Sequence, residues 1–227
     1  MPACHPGPGA VSSKLKPAHG VLAFLLATGF VPGALADIFV REDIITDPDP
    51  ARFNICYNHS CDRLAWAKLD AQQWRRLRAL FAPAAGTPSG EREQIRAAIA
   101  RFESTVGAMT GTAGDKGGNW AGLGLPGQMD CIDESTNTTI YLRMLQKAGV
   151  LRWHDVADRS TRWSLFNWPH TTAVIEERAS QRRWAVDSWF LDNGEPPYVL
   201  PLQIWKDGWR PRQTQAAGAA QAAAAGR

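Results

Sequence analysis

Apolar residues recur at helical spacing in the first half of the chain. Trp74, Leu77 and Phe81 mark one stretch; Ile95, Ile99, Phe102 and Val106 stand at i, i+4, i+7 and i+11 of another. The first predicted helix opens at Asp70, a residue suited to the N-cap, and ends at Pro83. The second follows Pro88 and Ser89, carries Glu and Arg on its other faces and stops at Thr110-Gly111. A third spans Cys131 to Ala148, with Asp133 and Glu134 in its first turn, Tyr141, Leu145 and Ala148 at apolar spacing and Gly149 as terminator. Beyond it the period shortens. Thr171 to Glu176, Trp184 to Phe190 and Tyr198 to Ile204 read as strands separated by charged or Pro/Gly turns. Asp37 to Asn54 reads as a strand and a loop leading in, with Asp47-Pro48-Asp49-Pro50 as a turn. Helices first and strands second predict an α+β domain, its helical N-terminal part packed on an antiparallel sheet.

The two ends follow other patterns. Lys14 and Lys16 precede an uncharged apolar run from Val21 to Val31, then Pro32, Gly33 and Ala34-Leu35-Ala36. This is the layout of a secretory signal peptide cleaved after Ala36, because 11 apolar residues fall short of the about 20 that a membrane-spanning helix needs. Residues 213–227 are nearly all Ala, Gln and Gly, too poor in large apolar groups to pack, and read as a disordered tail. The expected organisation is a signal peptide over 1–36, a single domain over 37–212 and the tail, with the mature chain periplasmic or secreted. Between Gly111 and Gly127 seven glycines fall in 17 residues. The segment follows a helix, whereas a phosphate-binding loop follows a strand, and it lacks the Gly-Lys-Ser/Thr ending, so nucleotide binding is not expected.

Composition narrows the function. Of 227 residues 44% are hydrophobic, 21% are charged and ten are tryptophan, enough apolar material for a core. Lys and Arg number 25 against 22 acids, and removal of Lys14 and Lys16 leaves 23 against 22. A chain so near neutrality offers no bulk attraction to phosphate backbones or anionic lipid. Neither nucleic acid nor, after leader removal, a membrane is expected as partner.

An oxidising compartment changes the meaning of the cysteines. Cys4 leaves with the leader. Cys56 and Cys61, in Cys-Tyr-Asn-His-Ser-Cys, read as a small disulfide loop; a metal site with His59, or free thiols, are the other readings, and the spacing fits no usual zinc pattern. Cys131 is then a lone thiol at a helix start, where the helix dipole favours thiolate while Asp130, Asp133 and Glu134 oppose it, so a histidine partner is needed. His154 falls toward the far end of the helix. His170 enters a strand that folds back beside the helix start, and a hairpin turn centred on Arg178 and Ala179 sets it directly opposite Asp187. A two-residue slip leaves the pair diagonal neighbours; a one-residue slip puts them on opposite faces.

The order Cys131, His170, Asp187, with the cysteine opening a helix and the others on successive strands, resembles the transglutaminase-like superfamily. Gly-Gln-Met-Asp-Cys-Ile-Asp-Glu is similar to the Gly-Asp-Cys-Glu-Asp segment of its bacterial cysteine-proteinase branch. The resemblance covers about Gly127 to Phe190 and departs from the usual pattern in the Trp-Pro that precedes His170. It implies a papain/transglutaminase-like fold and amide acyl transfer (proteolysis, deamidation or cross-linking) on a protein or peptide substrate, with no cofactor or metal. Gln128 is the expected side-chain donor to an oxyanion, beside the Cys131 amide. Trp168 and Trp189 are the expected groove lining among tryptophans that otherwise read as core. Two other readings belong to other classes: a noncatalytic envelope protein that binds peptide or glycan on the same scaffold, and a thiol–disulfide exchanger at Cys56 and Cys61, disfavoured by four intervening residues where redox motifs have two.

Overall fold

A computed structural model describes residues 40–119, 122, 124–164 and 167–212; the leader expected over 1–36, the tail expected over 213–227 and Trp120 lie outside them. The chain enters through bends into a hairpin, β1 (Phe53–Tyr57) and β2 (Arg63–Ala67). Three helices follow: α1 (Ala71–Ala79), α2 (Pro88–Thr110) and α3 (Cys131–Lys147). An antiparallel meander of β3 (His154–Ser164), β4 (Asn167–Glu177), β5 (Arg183–Asp187) and β6 (Tyr198–Pro201) then runs into a short helix, α4 (Leu202–Lys206). Among the described residues the class is α+β, with two antiparallel sheets and four helices.

The helix starts carry the expected caps. Asp70 accepts from the Gln72 and Gln73 amides while Gln73 reaches back to the Asp70 amide. Thr87 caps α2 ahead of Pro88, and Asp130 caps α3 reciprocally with Asp133. Gly111, at φ 81°, ends α2 in the left-handed conformation that glycine adopts without strain.

Three elements differ from expectation. β1 and β2 form a hairpin ahead of the helices, so the chain does not run helices first. β3 was not expected as a strand, because its exposed edge carries Asp, Arg, Ser and Thr where a core-facing strand carries apolar residues. Tyr198 to Ile204 divides into β6 and the start of α4, and β5 stops at Asp187 before the aromatic Trp189-Phe190 pair.

The main core joins Phe53 and Ile55 of β1, Ile95, Ile99 and Phe102 of α2, Ile140, Leu142 and Leu145 of α3 and Ala173 and Ile175 of β4. Phe102 and Tyr141 stack with centroids 4.6 Å apart. The central helix α3 is buried nearly all round although half of it is polar; its polar groups act as internal connectors. Asn137 accepts from the Cys56 amide at 2.7 Å and donates to the Cys56 carbonyl at 2.9 Å, pairing with β1 as a neighbouring strand would. A second polar connector ties α2 to β3. The buried Glu91 carboxylate accepts from the amides of Arg152, Trp153 and His154 and bonds His154 Nδ1 at 2.9 Å. His154 thus serves the framework. Burial pushes Glu91 upward, and its His154 and backbone donors outweigh that, holding its carboxyl below the usual range.

Candidate functional site

Cys131 is the first residue of α3 and is buried. Its sulfur lies against the approach of β4: the thiol donates to the Pro169 carbonyl at 3.8 Å, and the Thr171 amide is directed at the sulfur. These two residues bracket His170. From β4, His170 reaches the last residue of β5, with Nε2 bonded to Asp187 Oδ2 at 2.8 Å. Trp205 of α4 donates its indole N–H to the same oxygen at 2.6 Å. Since that carboxylate oxygen accepts both bonds, Nε2 carries a proton, and in the neutral imidazole the lone pair is then on Nδ1. Nδ1 is buried and has no hydrogen-bond partner among the described residues.

The strand register differs from expectation by two residues. Ala173 pairs with Val186 and Val174 with Ala185, so the turn centre lies one residue later than Arg178 and Ala179. His170 and Asp187 are therefore diagonal neighbours on one face, still within reach because both side chains project toward Trp205.

Aromatic rings enclose the imidazole. Trp189, Phe190 and Trp205 lie with centroids 4.9, 5.1 and 5.4 Å from that of His170. Trp189 is buried against the histidine and so acts as a wall of the site, a position short of the open groove expected for it. Trp168 is in β4, and its side chain lies outside the described part. Phe190 and Trp205 carried no sequence signal: a tertiary meeting of α4 with the β4–β5 face creates their role. A cleft of about 290 Å³, lined by Val40, Ile132, Asp158, Arg159, Thr161 and Thr171, lies one residue along from Cys131 and from His170.

Burial pushes the Cys131 thiol up to about 12, with Asp130 and Asp187 adding to the rise and the Thr171 amide opposing it. The resting group is a thiol, as expected for a sulfur removed from water. A base at hand, rather than the helix start alone, is what this position needs to form thiolate.

In the first turn of α3 the amides of Ile132 and Asp133 are taken by the Asp130 carboxylate and that of Glu134 by the Asp130 carbonyl. The Cys131 amide faces its own sulfur. Gln128 does different work from that expected. Its amide donates to Gly114 O at 3.0 Å and its carbonyl accepts from Asn119 and Lys116, which pins the glycine-rich loop in front of the helix. Gly127 (φ 75°) closes the base of that loop, where a Cβ would collide with the Gly111 carbonyl oxygen.

The Cys56–Cys61 disulfide is formed, with Cα atoms 4.6 Å apart. Inside it Asn58, His59, Ser60 and Cys61 are all left-handed, with φ between 55° and 72°. That backbone, costly for non-glycine residues, aims three successive amides at the start of α3. His59 and Cys61 donate to the two oxygens of Asp133, both at 2.7 Å, and Ser60 to Asp130 at 2.9 Å. The metal reading loses its thiolates, since both sulfurs are bonded to each other and the nearby Asp133 gives its oxygens to amides. The loop yields a stability test. The double variant Cys56→Ser/Cys61→Ser should unfold in urea with about 2–4 kcal/mol less stability, combining lost loop closure with release of the left-handed turn. An unchanged urea midpoint would mean that the disulfide does not hold the turn.

Behind the helix start lies a second group of acids. Glu103 of α2, Asp115 of the loop and Glu134 of α3 are buried together, with Asp115 Oδ1 accepting from the Met129 amide at 2.7 Å and Glu103 from Gly194 at 3.0 Å. Burial pushes Glu103 up to about 7, Asp115 to about 6 and Glu134 well above its ordinary value. Burial, with Asp130 beside it, also raises Asp133 to about 7 against its three amide donors.

Among the described residues no helix is long and apolar enough to cross a membrane. Compared with known proteins, the chain matches no family model, no curated protein and no solved structure.

Proposed function

We propose that this chain is an exported cysteine-dependent acyl-transfer enzyme of papain/transglutaminase type, acting on amide bonds of a protein or peptide. The observation that carries the reading is the 2.8 Å bond between His170 Nε2 and Asp187, which leaves a buried, unpartnered Nδ1 on the strand that flanks the Cys131 sulfur. His170 Nδ1 takes the thiol proton and Asp187 stabilises the imidazolium. The thiolate forms a C–S bond to the amide carbonyl as its π pair moves to oxygen, and the Cys131 amide, which faces the sulfur at rest, turns its donation to that oxygen. The proton on Nδ1 passes to the nitrogen as the C–N bond breaks, leaving a thioester. Water or an amine then attacks the thioester, giving a proton to Nδ1; the C–S bond breaks and that proton passes to sulfur. Export through the leader agrees with an oxidised Cys56–Cys61 pair.

The test is alkylation of the purified protein by iodoacetamide with mapping of the modified residue. Cys131 should label rapidly near neutral pH, Cys131→Ser should abolish labelling, and His170→Ala should slow it sharply. A thiol that labels sluggishly in the unmodified chain, or equally fast with and without His170, overturns the reading.

A noncatalytic scaffold is the second reading. What favours it is the thiol itself, raised to about 12 by burial and hydrogen-bonded to the Pro169 carbonyl instead of to the imidazole. It expects His170→Ala to leave Cys131 reactivity unchanged, so the same experiment separates the two.

A further inference from the structure

Arg162 stands beside the proposed nucleophile without a role in the chemistry above. It is the cross-strand partner of His170 in the β3–β4 ladder, so the two side chains share a face. Its guanidinium carbon lies 4.3 Å from the centroid of the Trp205 ring, and Nη1 donates to the Trp205 carbonyl. That same indole bonds Asp187 and packs on His170. One tryptophan therefore fixes the arginine, the histidine and the aspartate relative to one another. Arg162 is half-buried and makes no ion pair among the described residues. The carboxylate whose charge acts on it, Asp187, is already occupied by His170 and Trp205. Burial lowers Arg162 somewhat, while the charges of Asp187 and Cys131 raise it and that of Arg210 lowers it, which places a second guanidinium in the same neighbourhood.

A stacked guanidinium is rigid and presents a planar fork that fits a carboxylate. Resting on the catalytic reading, we propose that Arg162 is a specificity residue, and that the amide substrate carries a carboxylate close to the carbonyl that Cys131 attacks. An Arg162 whose only role is to tie β3 to α4 through the Trp205 carbonyl, with its charge screened from the approaching reagent, would not distinguish an anionic reagent from a neutral one.

Alkylation supplies that distinction without knowledge of the natural substrate. Iodoacetate and iodoacetamide deliver the same carbon to the sulfur and differ in a carboxylate. The ratio of their rates at Cys131 in the full chain is internal to each variant, so a loss of folded protein cancels. Arg162→Gln should lower the iodoacetate-to-iodoacetamide ratio about five- to tenfold at low ionic strength, as removal of one charge beside the reacting atom predicts. Arg162→Lys should keep it within about twofold, because the charge remains. A ratio unchanged in Arg162→Gln overturns the proposal while leaving the enzyme reading intact. Failure of Cys131 to react with either reagent in the unmodified chain overturns the enzyme reading and this proposal with it. Protection of Cys131 by N-acetylglycine or by N-acetylglutamic acid α-amide then assigns the carboxylate to a chain end or to a side chain. Protection by neither, or equal protection of Arg162→Gln, counts against the assignment.

Discussion

Replacing Asp187 by alanine should cut the rate of Cys131 alkylation at pH 7 by about 10³, the range of a lost general base, whereas Asp187→Asn should cost about 10- to 100-fold, the size of a lost charge beside the imidazole. The difference follows from one oxygen. Oδ2 accepts from both His170 Nε2 and Trp205 Nε1. An asparagine carbonyl placed there keeps both bonds and the tautomer that leaves Nδ1 free, and loses only the charge that steadies an imidazolium. Alanine loses the tautomer and the orientation as well. The pH profile gives a second readout. A thiol raised to about 12 is ionised to roughly one part in 10⁵ at pH 7, so without a working base its alkylation rate climbs about tenfold per pH unit through the neutral and alkaline range. With His170 held in place the rate is already high near neutrality and nearly flat above it. Alanine and asparagine variants that react alike, or a steep climb in the unmodified protein, would remove the imidazole from the chemistry.

Thermal stability should fall between pH 5.5 and pH 8. Glu103, Asp115, Asp133 and Glu134 are all raised, chiefly by burial, so each binds its proton more tightly folded than unfolded. For an acid raised in this way the stabilising contribution is complete below the unfolded pKa of about 4 and is lost as pH rises through the folded value. That loss sets in above about 4 and is complete by about 6 for Asp115 and by about 7 for Glu103 and Asp133. Glu91 acts in the opposite sense. Its carboxyl is held low, so its contribution is present above about 4 and fades as pH falls through the folded value. Stability should therefore peak near pH 5, and Tm should drop by about 6–12 °C on going to pH 8, equivalent to about 3 kcal/mol in a domain of this size. Melting curves followed by circular dichroism measure it directly. A Tm that is level or rises over that interval would mean that the acids ionise without cost, through solvent or an ion reaching them.

The helices were legible because their caps and apolar spacing are local. Asp70, Pro88 and Gly111 mark ends that any chain context would respect. The α+β class followed from the change of period after Gly149. The β1–β2 hairpin and β3 were not legible, since Asn54 and Arg63 in the one and the polar run of the other break the alternation that identifies a strand. At the candidate site, the face shared by His170 and Asp187 survived an error in the turn centre because moving the centre by one residue slips the register by two, an even number. Gln128 illustrates the opposite case. Nearness in sequence to Cys131 suggested a donor to the reacting oxygen, and folding brought Gly114 and Asn119 to it first. Trp205 and Arg162 were beyond reach from sequence, because nothing along the chain announces that the short helix after a four-residue strand will return to cover a carboxylate.

Asn137, which stands in for a strand beside β1, also begins the triplet Asn-Thr-Thr, a glycan acceptor by sequence. Both ends of its carboxamide are committed to the backbone N–H and C=O of Cys56, and the residue is only 3% exposed. A sugar attached there during translocation would occupy the space and the amide nitrogen that the hairpin requires. Production through a eukaryotic secretory pathway would thus sort molecules into unmodified chains that fold and carbohydrate-bearing chains that do not.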